Sequence, residues 1–154
     1  MKIRADENVA PAIVDIVREL ALSDGFELTS VIQIGAAGSA DVHWITKFQQ
    51  DGGDAILTAD TDFHRQAPHV EAIGRLGLKV IHLPNKWSMA PGRLQASHLL
   101  LWWPRIERQL SVMGTRQCYS PQWNIKEDGE LRQVPMDFAA AEKKMKKAAR
   151  REAS

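Results

Sequence analysis

The sequence predicts an α/β fold: a mostly parallel sheet with helices on both faces. Three observations carry that expectation. Short apolar runs alternate with amphipathic stretches as strand, helix, strand, helix, strand, helix, strand across residues 2–83. The connections between them are short, which implies right-handed crossovers and parallel pairing. The run Ala55-Ile56-Leu57-Thr58-Ala59, bounded by Gly52-Gly53 before it and acids after it, reads as a strand buried on both faces.

The elements follow in order. Lys2 to Ala5 is the first strand. Asn8 is expected to cap the helix after it, with Pro11 tolerated in the first turn. Ile13, Ile16, Val17 and Leu20 fall on one face of that helix, and Asp24-Gly25 ends it. Phe26 to Ile34, rich in β-branched residues, reads as the second strand. After the loop Gly35-Ala36-Ala37-Gly38, Ser39 is the expected cap of a second helix. That places Asp41 in its first turn, where the helix dipole favours a carboxylate. Val42, Ile45 and Phe48 make the inward stripe. The third strand is the Ala55 run. Asp62 to Arg75 is expected to be helical with an interruption near Pro68, and Leu78 to Leu83 is a fourth strand ended by Pro84.

Pro91 to Met113 reads as a longer helix, kinked or split at Pro104. Its Leu94, Leu99, Leu101, Trp102, Trp103, Ile106 and Leu110 exceed one narrow stripe, so most belong to the core and the remainder offers a partner surface. Beyond Gly114 the pattern changes. Gln117 to Tyr119, Trp123 to Ile125 and Leu131 to Val134 read as short strands, with Asp128-Gly129 as a hairpin turn. From Asp137 the chain turns helical and basic, with Lys143, Lys144, Lys146, Lys147, Arg150 and Arg151. Residues 1–114 are expected to form the α/β domain, and residues 115–154 a C-terminal extension packed on it.

Composition narrows the class. At 154 residues, 44% hydrophobic and 25% charged, the chain suits one soluble globular domain. No apolar run approaches the roughly 20 residues that span a bilayer, and none of the features of a signal peptide is expected at the N-terminus. A single cysteine, Cys118, excludes an internal disulfide framework and suits a cytoplasmic protein. Net charge is +1 but unevenly spread: Met1 to Glu71 holds 5 Lys or Arg against 12 Asp or Glu, and the remainder holds 15 against 7. Such asymmetry fits a metal site facing a polyanion, and equally an acidic body with a solvated basic tail.

The candidate chemistry lies in the acids. Asp6 and Glu7 follow the first strand, Asp60 and Asp62 follow the third, and Asp41 opens a helix. Ligands of open α/β sheets bind outside the carboxyl ends of the strands. First and third strands are commonly neighbours in such sheets, which would bring Asp6 close to Asp60. Carboxylates at that range repel unless a cation lies between them. Hard Mg²⁺ or Mn²⁺, with oxygen ligands and retained waters, is the natural occupant. Asp6, Asp41, Asp60 and Asp62 are the candidate metal and catalytic residues, with Glu7 as a further ligand. Thr58, Arg65, Lys86 and Arg93 are candidates for substrate contact, Thr58 by orienting a metal-bound water. The histidines at 43, 64, 69, 82 and 98 are scattered, and no pair has a zinc spacing.

The segments Ile3-Arg4-Ala5-Asp6-Glu7-Asn8, Gly38-Ser39-Ala40-Asp41 and Leu57-Thr58-Ala59-Asp60-Thr61-Asp62-Phe63 together resemble the PIN-like domains, in particular the compact group related to VapC-type toxins of toxin–antitoxin pairs. The resemblance implies a Rossmann-like three-layer sandwich, here followed by a small C-terminal β-hairpin and a basic helical tail. It also implies Mg²⁺- or Mn²⁺-dependent cleavage of RNA, with Asp6, Asp41, Asp60 and Asp62 matching the metal-holding acids. The partners it implies are an RNA substrate, an antitoxin protein contacting the tail or the tryptophan-rich helix, and a second copy of the chain, with no membrane. In many members the second acid is a Glu within a helix, whereas Asp41 is shorter. Two other readings stand beside the nuclease: a non-catalytic PIN-like module that binds RNA or protein, and a receiver-type phosphoacceptor domain. The second of these wants a hydroxyl after the fourth strand, where the chain instead runs into Pro84-Asn85-Lys86.

Overall fold

The fold is that of a computed structural model, in which residues 1–36, 38 and 41–153 are described. Six strands form one sheet in the order β2-β1-β3-β4-β5-β6: β1 (Lys2–Ala5), β2 (Glu27–Ser30), β3 (Ala55–Thr58), β4 (Lys79–His82), β5 (Cys118–Ser120) and β6 (Arg132–Val134). Every neighbouring pair is parallel except β5 with β6. One face is covered by α1 (Pro11–Leu20) and α5 (Gly92–Val112), the other by α2 (Asp41–Gln50), α3 (Ala67–Leu76) and α6 (Phe138–Ala153). A short α4 (Asn85–Met89), not anticipated from the sequence, links β4 to α5.

This is the three-layer α/β architecture the strand–helix alternation predicts. All four residues of β3 are buried. Its side chains alternate between two cores, as a pleated strand requires. Ala55 and Leu57 join Val14 and Val17 of α1 and Trp102, Trp103 and Ile106 of α5. Ile56 joins Trp44, Ile45 and Phe48 of α2 and Ile73 of α3. Full burial of such side chains stabilises by roughly 1.5–3 kcal/mol each, so the central strands are held from both sides. No helix among the described residues is long and apolar enough to cross a membrane.

Several local expectations are corrected. Asn8 does not cap α1: Ala10 stands at the cap with no side-chain bond, while the Asn8 N–H is drawn back to the Asp6 carboxylate. An Asp accepting from two residues on is a turn that competes with helix entry. The inward face of α1 is Ile13, Val14 and Val17, and Leu20 is 70% exposed. β2 stops at Ser30, whose hydroxyl accepts the Ile32 N–H and turns the chain before the β-branched run ends. Ser39 lies outside the described residues. The interruption expected near Pro68 is present: the helical path breaks at the extended Gln66, and Pro68 stands in the first turn of α3, where a missing N–H costs nothing. A 3-10 turn, Phe63–Arg65, precedes it. α5 runs unbroken past the exposed Pro104. Trp123 to Ile125 is not a strand; β5 pairs directly with β6, and the turn at Lys126 to Gly129 lies in the loop between them.

The basic helix is not a loose tail. Phe138 and Ala141 seat α6 on the α2–α3 layer. The approach is so close that a Cβ at Gly74 of α3 would lie 2.7 Å from the Phe138 ring, hence glycine.

Candidate metal centre

From β1 the chain crosses to β2 at one side, and from β3 it crosses to β4 at the other. The carboxyl ends of β1 and β3 therefore flank the point where the crossovers diverge, the crevice in which open α/β sheets bind ligands. Asp6 follows β1 directly, and Asp60 lies two residues beyond β3.

Asp6 is 4% exposed. The Thr58 hydroxyl donates to it, as do the backbone N–H groups of Asn8 (3.0 Å) and Ala59 (3.4 Å). Burial nevertheless dominates and raises its pKa to about 6; the three hydrogen bonds oppose the rise and the charge on Asp60 adds to it. The two acids thus sense each other. Asp60 is tied into the same turn: its backbone N–H donates to the Thr58 hydroxyl at 3.1 Å, and its carboxylate accepts the Asp62 N–H at 3.0 Å. His82, at the end of β4, donates Nε2–H to the Asp60 carbonyl at 2.8 Å. Burial lowers the His82 pKa, against the hydrogen bond to the Asp60 carbonyl, which favours the charged ring.

Asp41, at the start of α2, and His69, in α3, complete a three-residue group. One ligand atom from each of Asp41, Asp60 and His69 lies within 4.8 Å of the others. His69 Nε2 is 2.9 Å from an Asp41 carboxylate oxygen, and the Trp44 indole N–H donates to the other at 3.1 Å. The imidazole is 6% exposed and stacks on Phe63 with centroids 4.8 Å apart, so its direction is fixed by packing. Two carboxylates and an imidazole converging at a strand-end crevice fit a divalent cation that keeps open water positions.

The remaining candidates are placed as follows. Asp62 is exposed at the start of the 3-10 turn, its backbone bonded to Asp60. Glu7 is exposed. Thr58 is fully buried, and its hydroxyl serves Asp6 and Asp60 from within the sheet. Arg65 is exposed beside His64. Lys86 lies on α4 near Pro121 and Trp123, and Arg93 is exposed in the first turn of α5.

His69 is the group member that sequence reasoning missed. Spacing along the chain could not find it, because its neighbours are Asp41 and Asp60 on other elements. One signal was available: it is a polar residue in the inward stripe His69, Val70, Ala72, Ile73 of α3. A histidine buried on an apolar helix face needs a hydrogen-bonding neighbour, and the nearest acids were already in view.

Among curated proteins and solved structures, none matches the chain. The profile of the family described as PIN like domain matches residues 1–85, a segment that contains Asp6 and the whole Asp41–Asp60–His69 group, and the chain belongs to that family.

Proposed function

We propose that this protein is a metal-dependent endoribonuclease and the toxin of a VapC-type toxin–antitoxin pair, acting in the cytoplasm. The observation that carries the reading is the convergence of Asp41, Asp60 and His69 at the β1–β3 crevice, beside a buried Asp6. PIN-like domains are generally nucleases and generally use a divalent metal, which agrees with that donor set. Asp41, Asp60 and His69 would hold a Mg²⁺ or Mn²⁺ ion, which would supply positive charge to the phosphodiester and ease deprotonation of water. The chain's own part is positioning. Thr58 fixes Asp6 and the Asp60 backbone in one register. His82 holds the Asp60 carbonyl, and so the turn that presents the carboxylate. Trp44 and Phe63 fix Asp41 and His69.

The test is cleavage of a single-stranded RNA in Mn²⁺, in Mg²⁺ and in chelator. Cleavage is expected only with metal, and is expected to fall at least 10²-fold in Asp60→Asn and Asp41→Asn proteins that fold normally. Activity in chelator, or in both variants, overturns the reading. The toxin role is tested separately: expression should arrest growth, and expression of Asp60→Asn should not.

One observation favours the non-catalytic alternative. Both oxygens of Asp41 already have protein neighbours, His69 and Trp44. A module that uses this network only to hold its fold would show no Mn²⁺ uptake in titration calorimetry.

A further inference from the structure

We infer that the exposed cationic face of α6 binds the phosphates of the RNA strand flanking the cleaved bond, entered through the cleft of His64, Arg65 and Lys144. The inference rests on the ribonuclease reading and extends it to a helix outside the residues the family profile covers.

A cleft of about 430 Å³ opens between α3, β6 and α6, lined in part by His64, Arg65 and Lys144. Its His64 wall leads back to the metal centre through one residue: His64 packs edge-on against His82 with centroids 5.0 Å apart, and His82 is bonded to the Asp60 carbonyl. The one carboxylate in the cleft, Asp137, is turned to the helix, where it caps the Ala140 N–H at 2.9 Å. Farther along α6, Lys143, Lys147 and Arg150 follow one another at helical spacing beside a second concavity. Lys146 is engaged by Glu142 at 2.9 Å, whereas no acid pairs with Lys143, Lys144, Lys147 or Arg150 among the described residues. α6 holds six Lys or Arg against two Glu.

Three points choose the occupant. The acids at the centre repel a polyanion, so a nucleic acid needs cations elsewhere on its path, and α6 supplies them where the cleft ends. The helix is seated by Phe138 and Ala141, so its backbone presents the exposed cations in a row that suits a linear run of phosphates. Phe138 packs on the α3 side and Ala141 is buried, and the exposed apolar residues of the helix are all alanines, which leaves the cationic face without the bulky hydrophobic flank that a membrane-surface helix needs.

The experiment is fluorescence anisotropy of a labelled single-stranded RNA against the full-length chain carrying Asp60→Asn, which prevents cleavage. It is compared with the same chain also bearing Lys143→Gln, Lys144→Gln, Lys147→Gln and Arg150→Gln. Gln keeps helix propensity, and an unchanged thermal midpoint confirms the fold. Each phosphate contact contributes about 0.7 to the slope of log affinity against log salt, or roughly fivefold at 0.1 M. Loss of the four contacts then weakens binding by up to about 600-fold and lowers the slope by about 3. Equal affinity and slope in the two chains overturns this inference alone and leaves the ribonuclease reading standing, as when an acidic protein occupies α6 instead. RNA bound through α6 but never cut by the unmodified chain refutes the nuclease reading and, with it, a role for α6 beside a cleaved bond, while the phosphate-binding face itself stands. No RNA binding by either chain at low salt overturns both.

Discussion

Replacing Asp6 by Asn should stabilise the metal-free protein, and by an amount that depends on pH. In the fold the Asp6 carboxyl titrates at about 6, against an ordinary 3.8, chiefly because it is buried. An acid whose folded pKa is raised keeps its proton in the native state after the unfolded chain has released it. Native stability is therefore lost as pH rises from the ordinary value through about 6, and the loss is complete above that. The shift is equivalent to about 3 kcal/mol in full. About 1 kcal/mol of it is already present at pH 4.5, so roughly 2 kcal/mol develops between pH 4.5 and pH 7.5. Asn escapes that term. Its carbonyl oxygen can accept from Asn8 and Ala59, and its amide can donate to the Thr58 oxygen, but the Thr58 proton then loses its acceptor. This fixed penalty of about 1 kcal/mol does not vary with pH, so the informative quantity is the change in the difference between the two proteins. Urea unfolding in chelator at pH 4.5 and pH 7.5 measures it. The Asn protein should gain about 2 kcal/mol on the wild type across that interval, or roughly 4–8 °C in thermal midpoint. If the two stabilities run parallel across the interval, Asp6 carries no buried charge and the electrostatic case for a cation beside it fails.

Two further outcomes follow from the same geometry. His69→Gln should weaken Mn²⁺ binding at least tenfold in titration calorimetry, because it removes the imidazole from the Asp41–Asp60 pair; unchanged affinity would take His69 out of the metal centre. Gly74→Ala should cost about 1–3 kcal/mol, since the new Cβ meets the Phe138 ring at 2.7 Å. The smaller side chain in Phe138→Leu should recover part of that loss in the double variant, and additive losses would mean that α6 does not bear on α3 there.

The parts of this molecule that were legible in the sequence are those decided within a few residues. β3 declares itself as an apolar run between glycines and acids, and its four positions are all buried. Asp60 is readable for the same reason, as the first acid past a buried strand. The errors cluster where a side chain redirects the backbone: Ser30 closes β2 early by accepting the Ile32 N–H, and Asp6 takes the Asn8 N–H that a helix cap would have left free. Proline was legible at position 68, where the helical path breaks just before it at Gln66 and α3 begins, but at position 104 the helix runs on without a split.

The candidate site divides along the same line. Asp41 and Asp60 could be named because each sits at the end of an element, where topology alone sends it towards the crevice. His69 could not, because it reaches them only through the packing of α3 against α2, a contact with no trace in local spacing. Its burial supplies the missing argument: an imidazole 6% exposed, stacked on Phe63 and aimed at a carboxylate, is held too firmly to be a surface residue that happened to fold inward. An acidic strand end is common in α/β sheets, but a buried imidazole added to Asp60 and to Asp41 at a helix start changes the preference of the site from purely oxygen-seeking ions towards those that also accept nitrogen. Among the hard ions the sequence suggested, that favours Mn²⁺ over Mg²⁺.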